Sequence, residues 1–138
     1  MNDLKRFSDA QENDFERALA EIKRGRKQSH WMWYIFPQIA GLGFSPTSKL
    51  YAIKDRDEAE NYLAHPILGK RLVEISNALL EVEGKTANQI FGSPDDMKLK
   101  SSMTLFGALE NTNPVFQKVL DKYFNGAEDR RTLEMIDV

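Results

Sequence analysis

From His65 to Gly84 the chain reads HPILGKRLVEISNALLEVEG. Ile67, Leu68, Leu72, Ile75, Leu79 and Leu80 recur at the spacing of one face of an α-helix. His65-Pro66 stands where a helix begins, and Gly84 where one stops. This is the longest regular stretch of the chain, and it makes the fold helical.

The same punctuation continues outward. Upstream, Asn13 with Glu16 fits a capping box ahead of Phe15, Ala18, Leu19 and Ile22, with Gly25 as the stop. Ser29 is placed to cap a short helix through the aromatic run, ended by Pro37 and Gly41-Leu42-Gly43. Ser45-Pro46 opens another through Tyr51 and Ala52, and Asp55 with Asp57 and Glu58 opens the next through Leu63. Downstream, Thr86 to Phe91 forms a turn or two stopped at Gly92. Ser93-Pro94-Asp95-Asp96 combines cap, proline and acidic first turn before Leu99, Met103, Leu105 and Phe106. Asn113-Pro114 repeats the device before Val115 to Phe124, and Asp129 starts a last helix ending near Ile136. Only Leu50 to Ile53 hints at alternation. The expectation is an all-α single domain over residues 1–138, a compact bundle of about seven to nine helices, several of them short.

Bulk properties narrow the function classes. A chain of 138 residues buries about two thirds of its unfolded surface and needs no staple. Without cysteine there is no disulfide, thiolate nucleophile or zinc–sulfur site. His30 and His65 are the only histidines and fit no metal-ligating spacing, so neither a metal nor a cofactor is expected. The net charge of −2 argues against general binding to nucleic acid or anionic membrane. The start lacks an apolar h-region and no apolar run approaches the ~20 residues of a membrane span, so a cytoplasmic location is expected.

The chemistry concentrates at Arg24 to Gln38, RGRKQSHWMWYIFPQ. Lys23 and Arg24 suit a helix C-terminus, where the dipole favours cations. Arg26 and Lys27 lie beyond Gly25, just before a helix start, and can form an anion subsite. His30, in the first turn, is either held by a backbone carbonyl or available as a proton donor or acceptor. Trp31 and Trp33 diverge by about 200° on a helix, so either one fills the core while the other can line a cleft and stack on a flat ligand, or both are core residues of a short helix apolar all round. On the helix after Pro94, Lys98 and Ser102 share a face, as do Ser101 and Leu105. A lysine one turn from a hydroxyl can activate it, although small residues there also serve close helix packing. His65 is expected to cap a helix locally. Glu12, Asp14, Glu16 and Asp129 form no evident carboxylate pair.

Five stretches, LKRFSDAQ, RGRKQSHWMWYIFPQIAGLG, SKLYAIKDRDEAENYLAHPILGKRL, DDMKLKSSMTLF and DRRTLEMI, strongly resemble the DUF1810 family, also called Rv1873-like. The resemblance covers about Leu4 to Ile136. It implies a mainly helical, small, predominantly bacterial cytosolic protein of no established biochemical function. The calpastatin label carried by some members does not fit a compact aromatic core. Among the positions matching the family's motif, Gln11, Arg26, Lys27, His30, Gln38, Arg71, Lys98 and Ser102 are polar, and packing alone does not call for them as a set.

The resulting expectation is a pocket for a small anionic, nucleotide-like ligand. Gln11, Arg26, Lys27, Trp31, Trp33, Gln38, Arg71, Ser101 and Ser102 would bind, and His30 and Lys98 would act on the ligand if the protein is an enzyme, which stays open. The alternative is a non-catalytic protein- or peptide-binding module using an exposed aromatic patch. Nucleic-acid binding through Lys23 to Lys27 is the weakest reading. A monomer is expected. The pocket reading requires Arg26, His30, Gln38 and Lys98 to converge on one concavity.

Overall fold

The structure, a computed structural model, describes residues 4–137. Ten helices follow one another: α1 (Lys5–Glu12), α2 (Phe15–Lys23), α3 (Met32–Ile35), α4 (Pro46–Leu50), α5 (Arg56–Ala64), α6 (Leu68–Glu81), α7 (Ala87–Phe91), α8 (Asp95–Gly107), α9 (Val115–Phe124) and α10 (Arg130–Ile136). The all-α expectation holds, and the helix missing from it is α1. That helix opens at Leu4 without a side-chain cap, so the punctuation that marks the others is absent.

Several caps act as the sequence indicates. Ser45 accepts from the Ser48 N–H, with Pro46 in the first turn. Asp55 accepts from the Glu58 N–H. Thr86 and Gln89 form a reciprocal capping box. His65 accepts the Ile67 and Leu68 N–H groups at Nδ1, at 3.1 and 3.2 Å. Four expectations fail, one of them at α9, where Pro114 rather than Asn113 precedes the helix. Asp14, with no capping bond, takes the place expected of Asn13. Pro94 rather than Ser93 precedes α8. Ser29 caps nothing, because its hydroxyl donates to Glu21, and α3 starts only after Trp31.

Helices α6 and α8 are central. The first packs on α2, α5 and α9, the second on α5, α7, α9 and α10. Leu72, Ile75 and Leu79 of α6, Leu99, Met103 and Phe106 of α8, and Phe116, Val119 and Leu120 of α9 are buried in one core cluster. Crossing of α5 over α6 is tight: a Cβ added at Gly69 would lie 1.9 Å from the Leu63 carbonyl oxygen. The weak alternation around Ile53 becomes an isolated parallel bridge to Ile39, in which Ile53 donates to Gln38 O and accepts from Ala40 N, each at 2.8 Å. No other strand pairing occurs among the described residues.

Candidate functional site

The segment between α2 and α3 is organised around a buried carboxylate. Glu21 accepts from the Gln28 N–H at 2.8 Å, the Ser29 N–H at 3.0 Å, the Ser29 hydroxyl at 2.6 Å and the Trp31 indole N–H at 2.9 Å. Burial alone would raise its pKa; the bonds from Ser29, Gln28 and Trp31 outweigh burial and hold it at about 2. Gly25, at φ +80°, turns the chain out of α2. The Lys27 N–H then donates to Ile90 O of α7 at 2.7 Å, which ties the basic stretch to α7.

Here the two polar stretches meet. Lys27 Nζ lies 3.0 Å from Asp95 Oδ2, and Lys98 Nζ lies 3.5 Å from Asp95 Oδ1. Each ammonium also sits 5.2 Å from a tryptophan ring centroid, Lys27 over Trp31 and Lys98 over Trp33. Asp95 is the first residue of α8, where the helix dipole favours its charge. These contacts form a compact Lys–Asp–Lys cluster faced by both tryptophans.

Beside it runs an open groove of ≈ 490 Å³ lined by Arg26, Lys27, Gly84, Lys85, Asn88, Gln89, Ile90, Phe91 and Gly92. Lys85 donates to Gly25 O at 3.0 Å, and its side chain packs against Gly25. Asn88 donates to Asp96 at 3.3 Å. Among the described residues three cations and two carboxamides line this groove and no carboxylate does, although Lys27 is paired with Asp95 behind it. Sequence reasoning missed Lys85, Asn88 and Gln89. The readable signal was Lys85 standing between Gly84 and the Thr86 cap, a cation that no helix dipole explains.

The remaining candidates lie elsewhere. Trp31 is wholly buried and has no ring face open to a ligand, whereas Trp33 is half-buried. Trp33 and Gln38 line a hollow of ≈ 10 Å³ with Gly43, Ser48 and Tyr51, room for about one water molecule. His30 is exposed, and its backbone carbonyl accepts from the Tyr34 hydroxyl at 3.3 Å. Gln11 is buried and bonds Tyr34 O at 2.7 Å and the Tyr62 hydroxyl at 2.9 Å, while Arg71 donates to it at 3.4 Å and faces the Phe15 ring. Ser101 donates to Asp129 at 2.8 Å, and buried Ser102 has no hydrogen-bond partner among the described residues. Arg26 and Lys27 thus share a groove, Lys98 joins them through Asp95, and His30 and Gln38 do not line that concavity. Among the described residues no helix is long and apolar enough to cross a membrane, and no group of three or more His, Asp or Glu side chains could hold a metal.

A family model described as "Protein of unknown function (DUF1810)" matches residues 1–136. The crystal structure of the conserved hypothetical protein Rv1873 from Mycobacterium tuberculosis superposes with a TM-score of 0.96. The two chains are 46% identical, over 99% of this chain and 98% of that one. No curated protein matches.

Proposed function

Because the chain belongs to the DUF1810 family, whose description carries no reaction, we propose its function from the groove: it binds a small phosphate-bearing ligand of nucleotide size. The observation that carries this reading is a lining of three cations without a carboxylate, Arg26, Lys27 and Lys85, in a space of ≈ 490 Å³. That volume lies within the range of small-molecule sites. Arg26 supplies a planar fork for phosphate oxygens, the lysines supply point charges, and the carboxamides of Asn88 and Gln89 can orient a polar body. Binding rather than catalysis is supported, because neither His30 nor Lys98 lines the groove. Titration calorimetry with pyrophosphate, ADP and ADP-ribose at low ionic strength tests this. Submillimolar binding is expected, weakened roughly two- to fivefold by Arg26→Ala or Lys85→Ala. No binding up to millimolar ligand overturns it.

One observation favours the peptide-binding alternative. Phe44 and Leu50 are 78% and 56% exposed on one short segment, an uncovered apolar pair such as docking surfaces use. Under that reading Phe44→Ser abolishes partner capture and leaves pyrophosphate binding unchanged.

A further inference from the structure

We propose that Asp95 is a specificity-determining residue for the groove, an internal anion that competes with the ligand for Lys27 and admits only polyanions. This rests on the reading of the groove as an anion site and names the ligand class it selects. Among the described residues Lys27 is the one groove cation with an ion pair: its side chain is 10% exposed, and Asp95, 19% exposed, meets it at 3.0 Å. Arg26 is exposed, and Lys85 donates to a backbone carbonyl, with no ion pair among the described residues. A monoanion such as acetate spends its single charge on Arg26 or Lys85 and leaves Lys27 with Asp95. A diphosphate anchored on Arg26 and Lys85 has charge to spare, and it then competes for Lys27 from within the site, at high effective concentration.

The second lysine makes the guard releasable. Asp95 divides its two oxygens between Lys27 and Lys98, so Lys98 keeps a partner for Asp95 when Lys27 turns to the ligand. The apparent affinity is the intrinsic one multiplied by the fraction of molecules in which Lys27 is free of Asp95. Asp96, its neighbour, is occupied differently: its oxygens accept from the Met97 N–H at 2.8 Å and from Asn88 at 3.3 Å, and it has no ion pair with Lys27 among the described residues. It therefore serves as a charge-matched control.

Titration of the full chain with pyrophosphate and with acetate tests the proposal. The wild type should bind pyrophosphate at least about tenfold more tightly than acetate. Asp95→Asn should tighten pyrophosphate binding by roughly fivefold more than Asp96→Asn does. Lys98→Gln should weaken it more than Lys100→Gln, since Asp95 then turns both oxygens to Lys27; this pair carries the test if Asp95→Asn does not fold. Acetate binding within tenfold of pyrophosphate, or equal effects within each matched pair, overturns the guard and leaves the groove reading standing. Absence of pyrophosphate binding in the wild type and in every variant overturns both.

Discussion

The indole of Trp31 and the carboxylate of Glu21 meet at 2.9 Å in the core, and that bond holds the segment between α2 and α3 in place. With three further donors on the same carboxylate, this pair is why the basic stretch leaves α2 in one direction and presents Arg26 and Lys27 along one groove.

Glu21 should make the fold acid-sensitive. Its pKa is depressed from 4.5 to about 2, so its stabilisation is whole above pH 4.5 and is lost as the pH falls toward 2. Glu21→Gln leaves donors poorly matched and should cost about 2–3 kcal/mol at pH 7. Urea denaturation at pH 7 and pH 3 measures both proteins; the gap between them should narrow at the lower pH. A gap independent of pH refutes the account.

Gly69→Ala should destabilise by about 3 kcal/mol. The added methyl would meet the Leu63 carbonyl at 1.9 Å, a backbone atom that cannot rotate aside, so α5 and α6 must separate. Thermal unfolding is sufficient to check this, and an unchanged melting temperature contradicts it.

Ser102→Ala should leave stability unchanged or raise it by about 1 kcal/mol, because its buried hydroxyl has lost water and gained no bond. Pyrophosphate affinity should be unaltered, since the side chain is wholly buried. A clear loss of either quantity would show that the hydroxyl has a partner.

His30→Ala should change stability by less than about 0.5 kcal/mol and leave pyrophosphate binding intact, because its side chain is exposed and lies outside the groove lining. Loss of binding in this variant would move the site toward α3.

Caps and apolar spacing made most helices legible, because those signals are local. The failures share a cause: a distant side chain takes over a local group. Ser29 has the right type and place for a cap, yet Glu21 claims its hydroxyl. Helical geometry separated Trp31 from Trp33 without saying which is buried; Trp31 lies ahead of α3, and its burial goes with its bond to Glu21. For the candidate site, the basic stretch and the start of α8 were each visible. That Asp95 joins them was not, since an acidic first turn already explains Asp95 without a partner. Lys85 was passed over because its one signal, a place between Gly84 and the Thr86 cap, is faint beside the basic stretch.

One helix end shows how far such control extends. Lys122 of α9 donates to the carbonyls of Leu79, Leu80 and Val82, and Tyr123 adds a bond to Leu79 O at 2.6 Å. The closing turn of α6 thereby receives its stop from another helix, before Gly84 is reached. The two helices should consequently melt as a unit, and amide exchange at the end of α6 should accelerate in Lys122→Met even though α6 itself is untouched.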